Sequence, residues 1–189
     1  MRVNFNILKS IAIALGIFSF VWMIYDFLSN RKDINKDYLS ANVAFLEKKY
    51  KKAFELYDLA LNQDPGNVYY LEGKARTLFR MEKFTEAEKI FKDVIKKDEE
   101  FTAAIANLGI LYDTIGMHEN AIKYYKLAVE KDSKVTDGMS WLKRFSKNIH
   151  FKPSNVKERL NFLEKELKSE NISNLKNQKL DNKQPDFEM

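Results

Sequence analysis

The residue types that carry most enzyme chemistry are scarce in this sequence. The chain contains no cysteine and only two histidines, His118 and His150. The lack of thiols excludes disulfides, cysteine-ligated zinc, iron–sulfur clusters, thiol nucleophiles and an acylated-cysteine lipoprotein anchor. The sequence also has no glycine-rich phosphate loop and no nucleophile elbow. We therefore predict no catalytic, cofactor-binding or metal-binding residues, and we expect that the protein is not an enzyme.

Three consecutive acids, Asp98, Glu99 and Glu100, are the densest candidate for acid–base or metal chemistry. They lie at a junction between two structural units, where solvated charge is the ordinary interpretation. His118 is interpreted in the same way, as a turn or packing residue rather than a ligand. The search for chemistry therefore points to binding by a helical surface.

Composition limits the kinds of partner. The 32 basic and 27 acidic residues are spread along the chain, and no block of like charge resembles a nucleic-acid arm. Hydrophobic residues make up 45% of the chain, with only six glycines and three prolines, which favours one globular domain built from long helices. We therefore expect a protein or peptide partner and no nucleic acid.

The amino-terminal segment predicts a transmembrane anchor over residues 1–30, with residues 5–28 in contact with the membrane. Sixteen uncharged residues run from Ser10 to Tyr25, and apolar residues continue on both sides. As a helix this stretch would span about 24 Å, so Lys9 would have to reach toward the headgroups. Trp22 and Tyr25 suit an interfacial aromatic belt. The pattern favours a single-pass membrane protein.

Two alternatives to the anchor are a cleaved signal peptide and a buried soluble helix. Arg2 and Lys9 form a basic n-region, as a signal peptide requires, but a small-x-small cleavage site is missing because bulky Phe27 precedes Ser29. Basic residues occur on both sides of the span, so orientation rests on the short amino-terminal tail, which is typical of a bacterial signal-anchor. We expect a periplasmic soluble domain, with the cytoplasmic side left open. Frequent lysine, asparagine and isoleucine indicate an AT-rich bacterial genome.

A period of 34 residues organises the middle of the chain. Five columns of similar residues recur at this spacing: Ala41/Ala75/Gly109, Ala53/Ala87/Ala121, Tyr57/Phe91/Tyr125, Ala60/Val94/Ala128 and Asp64/Asp98/Asp132. Small residues in facing helices allow a close approach, and the aromatic column fills the space between neighbouring units. The period therefore predicts an all-α array of stacked helical hairpins.

These columns resemble the tetratricopeptide repeat (TPR), most closely over Ala106–Asp132, through Leu108, Gly109, Tyr112, Ala121, Tyr125 and Ala128. The resemblance covers about residues 34–135 and implies three copies, at 34–67, 68–101 and 102–135. Asp37, Ser40 and Lys74 occupy places that the family usually fills with apolar residues, and His118 departs from an aromatic place. An end repeat explains the first copy's departures, but the sequence offers no physical account of Lys74.

The segment after the repeats predicts two capping helices within residues 136–168. The first covers Thr136–Ile149; the second begins with Ser154 as N-cap and carries Val156, Leu160, Leu163 and Leu167 on one stripe. We expect the second helix to fold back and close the array, with a coiled-coil partner helix as the alternative. Residues 169–189 lose periodicity and predict a disordered tail.

The resemblance to TPR proteins implies an inner groove formed by the first helix of each copy. The second, fifth, ninth and twelfth places of a copy usually face this groove. They select Tyr38, Asn42, Phe45, Tyr69, Glu72, Arg76, Phe79, Ala106, Ile110 and Asp113 as candidate partner-binding residues. This mixture of aromatics and charges suits an extended segment or a helix, although Phe45 and Phe79 would equally suit packing between repeats.

One family subtype is excluded by the same register. The clamp that holds chaperone carboxy termini uses Lys and Asn, then Asn, then Lys and Arg in successive copies. The matching places here hold Tyr38, Asn42, Gly73, Ala103 and Asn107, so only Asn42 agrees. We therefore predict a membrane-anchored scaffold or adaptor for other proteins, possible settings being a bacterial envelope assembly or a secretion complex. The alternative is a structural subunit of a membrane complex, a homo-oligomer formed through the anchor or the last helix.

Overall fold

The structure is a computed structural model that describes residues 5–29, 35–138 and 155–168. All regular structure within these ranges is helical. The chain divides into two compact units, Met1–Asn35 and Lys36–Met189. The predicted tail at 169–189 and most of the first capping helix, at 139–149, lie outside the described residues.

The amino-terminal unit contains one helix, α1 (Phe5–Ser29). At about 1.5 Å per residue, its 25 residues give a length of about 37 Å, which exceeds a hydrocarbon core of about 30 Å. The window Lys9–Asp26 is long and apolar enough to cross a membrane by length and composition, and none of it is buried within the chain. A single apolar helix near the amino terminus is also what a signal sequence forms, so the anchor stays a prediction.

The second unit is a series of helical hairpins, which confirms the predicted fold class. Its helices are α2 (Lys36–Leu46), α3 (Tyr50–Gln63), α4 (Val68–Arg80), α5 (Phe84–Lys97), α6 (Thr102–Thr114), α7 (His118–Lys131), a 3-10 helix (Ser133–Thr136) and α8 (Val156–Lys168). Contacts are densest within the pairs α2–α3, α4–α5 and α6–α7, and successive pairs stack through α3–α4 and α5–α6. A hydrophobic core runs between these layers.

The repeated columns form the core because they let the helices approach closely. The alanines Ala53, Ala87 and Ala121 are completely buried, as are the three aromatics of the next column. A Cβ added at Gly109 would lie 2.7 Å from the ring of Tyr125, which is too close for any packed side chain. The glycine therefore allows the aromatic ring of one helix to rest directly on the backbone of its neighbour.

The turn inside each hairpin repeats a left-handed residue at the 34-residue period. Lys48 and Glu82 have φ of 60°, and Gly116 has φ of 82°. In the second copy the amide of Lys83 donates to the carbonyl of Leu78 at 2.9 Å, and equivalent bonds close the other two turns. This is the Schellman arrangement, which satisfies free carbonyls at a helix end and favours glycine at the left-handed position. The chain places a glycine there only in the third copy.

The structure supplies a physical account of Lys74, which interrupts an apolar column. Its ammonium group forms an ion pair with Asp58 of α3 and lies 4.9 Å from the ring centroid of Phe54. Because lysine has a long aliphatic stem, it fills the apolar place between α3 and α4 while its charge reaches the hairpin surface. The substitution therefore keeps the contact between the first two hairpins.

The carboxy-terminal helix α8 packs on the last hairpin. Val156, Leu160 and Leu163 are buried in the main core, and Lys126 of α7 pairs with Glu164 at 2.7 Å. The prediction of Ser154 as N-cap was wrong by one residue. Asn155 accepts the amide of Glu158 at 2.8 Å, and Glu158 accepts the amide of Asn155 at 3.3 Å, which makes a reciprocal capping box.

Candidate protein-binding groove

The first helix, α2, contributes Tyr38 and Asn42 to the predicted inner wall. Tyr38 is half-buried, and its ring centroid lies 4.7 Å from that of Tyr70 on α4. The Asn42 side-chain oxygen accepts the hydroxyl of Tyr57 at 2.6 Å. The Tyr57 hydroxyl reaches Asn42 because Gly73 leaves room for its ring: a Cβ there would lie 2.4 Å from it. Both α2 residues are thus held in place by the neighbouring helices.

A polar network crosses all three hairpins behind this wall. The Glu72 carboxylate on α4 forms an ion pair with Arg76, whose Nε lies 2.9 Å away, and accepts a hydrogen bond from the side-chain amide of Asn107 on α6 at 2.9 Å. The Arg76 guanidinium lies over the ring of Phe45 on α2, 4.8 Å from its centroid. The buried charge of Glu72 is tolerated because the opposite charge of Arg76 and the amide of Asn107 compensate it, and such contacts restrict the side chains that make them. Arg76 is therefore presented in one orientation.

The three other aromatic candidates, Tyr69, Phe45 and Phe79, differ in how exposed they are. Tyr69 stays 52% exposed although its ring makes an edge contact with Phe101 at 5.1 Å. Phe79 is buried, with its ring centroid 5.9 Å from Phe84, and Phe45 packs in the same way on Tyr50 at 5.6 Å. The two phenylalanines fill the hairpin turns. Tyr69 therefore offers the accessible aromatic surface among these three candidates.

The candidates of the third copy were expected on an open inner wall, but the structure buries them. Ala106, Ile110 and Asp113 are each less than a tenth exposed. Arg159 of α8 binds the Asp113 carboxylate through two bonds, Nε to Oδ2 at 2.5 Å and Nη2 to Oδ1 at 2.8 Å. Because α8 engages this helix, the accessible part of the predicted groove is confined to α2 and α4.

Sequence reasoning missed Arg159 and interpreted His118 only as a turn or packing residue. His118 Nδ1 lies 3.1 Å from Asp113 Oδ1, and the Tyr125 hydroxyl donates to Asp113 Oδ2 at 3.3 Å. The departure of His118 from the family pattern thus belongs to a polar cluster around Asp113. One signal was available: Arg159 lies three residues after Val156, on the apolar stripe that was expected to face the array.

Two of the three acidic residues between α5 and α6, Asp98 and Glu100, make structural contacts. Asp98 accepts the amide of Glu100 at 3.0 Å, and Glu100 pairs with Lys131 at 2.5 Å. In the part of the chain that the structure describes, no group of three histidines or acids is placed to hold a metal ion. These contacts tie the junction between the second and third hairpins.

A second contact between these hairpins involves Glu88, a carboxylate with a lowered pKa. The Glu88 carboxylate on α5 accepts Lys92 Nζ at 2.6 Å and the hydroxyl of Tyr112 on α6 at 2.7 Å. The bonds from Lys92 and then from Tyr112 lower the pKa of Glu88 below its ordinary 4.5. Burial, followed by the bond to Glu88, raises the pKa of Tyr112. The network joins α5 to α6 through an ionised carboxylate.

The fold is shared with TPR domains of known structure. The Sgt2 TPR domain from Aspergillus fumigatus is 21% identical, with a TM-score of 0.56, over 72% of this chain and 80% of that domain. The first TPR of Spaghetti, solved with an HSP90 peptide, is 20% identical, with a TM-score of 0.55, over 70% of this chain and 90% of the other. The TPR2B domain of yeast Sti1, solved in a pHsp70 complex, is 19% identical, with a TM-score of 0.51, over 61% and 91%.

Sequence comparisons agree with the fold. A TPR repeat-containing thioredoxin, TTL4 of Arabidopsis thaliana, is 28% identical over 97 residues, which cover 51% of this chain but only 14% of that protein. The family model of the Psidin N-terminal TPR repeats region matches residues 44–153, more than half of the chain. With its stacked hairpins and 34-residue columns, the chain therefore belongs to this tetratricopeptide-repeat family.

Proposed function

We propose that this protein is a non-catalytic, membrane-anchored adaptor that binds a segment of a partner protein along α2 and α4. The observation that carries the proposal is Tyr69, an exposed aromatic ring on the same helix as the rigidly held Glu72 and Arg76. Aromatic and arginine side chains dominate the energetics of protein recognition, and a fixed orientation lowers the entropy cost of binding. TPR domains with this fold bind protein segments, as those of Spaghetti and Sti1 do.

The expected ligand differs from the peptides bound in those two structures. Of the clamp places, only Asn42 matches, and its side-chain oxygen already accepts the hydroxyl of Tyr57. Asn107 stands where the clamp needs a basic side chain, and its amide is committed to Glu72. With no basic residue at these places, a free terminal carboxylate gains little here. We expect an internal segment, extended or helical, that places an apolar side chain against Tyr69.

A photo-crosslinking experiment tests the groove. The full-length chain carries benzoylphenylalanine at position 69, or at position 59 as the control, because Leu59 on α3 is equally exposed at 49%. We expect position 69 to capture one specific partner that position 59 does not capture. Tyr69→Ala should weaken binding of that partner at least tenfold, by about 1.4 kcal/mol, while Leu59→Ala should not. Equal capture at both positions would refute the groove.

The anchor and its setting belong to the same proposal. Support comes from the length of α1, from the lack of buried residues in its Lys9–Asp26 window, and from the missing small-x-small cleavage motif in the sequence. We place the soluble unit on the extracytoplasmic side of a bacterial envelope, where it would serve an assembly or secretion complex. Reporter fusions at the carboxy terminus test the side, and the intact mass of the purified protein tests cleavage. Release of the protein by alkaline extraction would contradict the anchor.

A further inference from the structure

The outer surface of α2 carries an exposed aliphatic stripe. Leu39, Val43 and Leu46 are 47%, 55% and 59% exposed, at a spacing that aligns them on one side of the helix. Scattered apolar residues on a surface are ordinary, but three aligned on an end helix form a continuous strip. We name Leu39, Val43 and Leu46 the end stripe.

The repeat register shows whether the places of the end stripe are buried in the later copies. The residues 34 places after Leu39 and Val43 are Gly73 and Thr77, and both are buried, with Gly73 directly against Tyr57 of the preceding hairpin. The residues a further 34 places on, Asn107 and Leu111, are also buried. Leu39 and Val43 therefore lie at places that α4 and α6 bury when they stack. The places equivalent to Leu46 hold Arg80 and Thr114, which lie at the edge of that face and are half-buried and exposed, respectively. In the first hairpin, the described part of the chain leaves it uncovered.

Charges at the two ends of α2 indicate which partner covers the end stripe. Lys36 and Glu47 lie on the same side of the helix as Val43, seven residues before it and four after it. Both are exposed, and the pair that Glu47 makes with Lys49 is a surface contact of little energy, which another lysine can replace. A helix with opposite charges at its two ends complements an antiparallel copy of itself, whereas a parallel copy would oppose like charges.

We propose that the end stripe is a homodimer interface, in which α2 packs antiparallel against α2 of a second copy about a two-fold axis near residue 42. In this register Leu39 lies opposite Leu46 of the second copy, and Val43 lies beside its symmetry mate. Each Lys36 reaches Glu47 of the other chain. The interface is isologous and closed, so it yields dimers and not filaments. It leaves the groove residue Tyr69 on α4 outside the contact.

Single-cysteine crosslinking tests the geometry, because the chain has no cysteine of its own. Full-length Val43→Cys, purified in mild detergent, is oxidised with copper phenanthroline and compared with Leu59→Cys. Leu59 is similarly exposed, and its repeat equivalent Asp93 stays exposed between two hairpins, so it lies off the stacking face. We expect a disulfide-linked dimer for Val43→Cys alone. No dimer, or equal dimer at both positions, would overturn the proposal.

A charge exchange tests the antiparallel pairing. Lys36→Glu and Glu47→Lys should each raise the dimer dissociation constant about fivefold, because each breaks both symmetry-related pairs. The double variant should recover the wild-type constant, since the pairs are re-formed with the charges exchanged. Val43→Glu should raise the constant more than tenfold with the helical circular dichroism unchanged. Native mass spectrometry of the full-length chain measures all four.

Other occupants of the end stripe give distinct results. A dimer that survives Val43→Glu forms through another surface, such as α1, and overturns the proposal. A fluorophore on Val43→Cys that is quenched by spin-labelled lipids places the end stripe on the bilayer, which also overturns it. Partner capture at position 69 is measured separately, so failure of the dimer and failure of the proposed groove are distinguished.

Discussion

At residue 82 the backbone adopts the left-handed conformation while carrying a glutamate side chain. The left-handed conformation costs a non-glycine residue about 1–2 kcal/mol of stability, which glycine avoids. Glycine in turn makes the unfolded chain more flexible, which lowers the stability by about 0.4–1 kcal/mol. We therefore predict that Glu82→Gly raises the free energy of unfolding by about 0.5–1 kcal/mol, measured by urea denaturation. Gly116→Ala, the reverse change in the third turn, should lower it. A destabilised Glu82→Gly variant would contradict this account of the turns.

Breaking the Asp113–Arg159 pair should lower the free energy of unfolding. Removing one member of a buried ion pair leaves the other charge without compensation, at a cost of about 3–5 kcal/mol. Arg159→Met should therefore destabilise the protein by about 3 kcal/mol, whereas Lys157→Met on the exposed side of α8 should have little effect. In the Arg159→Met background, Asp113→Asn should cost less than it does alone. Additive losses in thermal or urea denaturation would show that the pair is not coupled.

At the scale of the elements, α5 and α6 are joined by a carboxylate whose ionisation matters. Because its folded pKa is lowered, Glu88 binds a proton less readily in the folded than in the unfolded protein. Its contribution to stability is present above about pH 4.5 and is lost as the pH falls through the lower, folded pKa. Glu88→Gln should destabilise the protein at pH 7 and flatten the fall in stability between pH 5 and pH 3, followed by urea denaturation.

A matched variant separates this effect from a general loss of charge. Glu86→Gln removes an acid from the same helix, where Glu86 forms an exposed pair with Lys83. It should leave both the stability at pH 7 and the slope below pH 5 close to those of the wild type. If Glu86→Gln and Glu88→Gln behave alike, the tie through Tyr112 does not stabilise the contact between hairpins.

The helices could be predicted because the residues that pack between them recur at a fixed 34-residue period. Alanine and aromatic residues at a fixed period report the distance between helices directly, and Ala87 and Phe91 are buried as expected. Contacts that depend on a partner elsewhere in the chain were not predictable. Lys74 looks like a defect until Asp58 and Phe54 are placed beside it.

At the scale of the whole molecule, the difference between local sequence patterns and contacts with distant residues also explains what the sequence could predict about the groove. The register identifies which places face inward, and it selected the exposed Tyr69 as well as Arg76, which is largely buried behind the wall. It could not show that Asp113 is paired with a residue 46 positions later, because no short-range pattern reports where α8 docks. The accessible wall is therefore shorter than three repeats imply.

Removal of α8 gives the last prediction. In a solenoid each unit contacts only its neighbours, so the loss of one unit weakens the adjacent hairpin most and the distant one least. A chain ending at residue 154 should lose amide hydrogen-exchange protection strongly in α6 and α7, which α8 contacts through Arg159 and Glu164. Protection in α2 and α3 should be unchanged.

A chain ending at residue 168 is the control, because it keeps α8 and removes only the predicted tail. It should retain wild-type protection throughout. In the shorter chain, Asp113 loses its arginine, so the inner wall of the third hairpin becomes accessible and the groove lengthens toward α6. A uniform loss of protection over all three hairpins would mean that the array unfolds as a single cooperative unit, and the nearest-neighbour account of its stability would then fail.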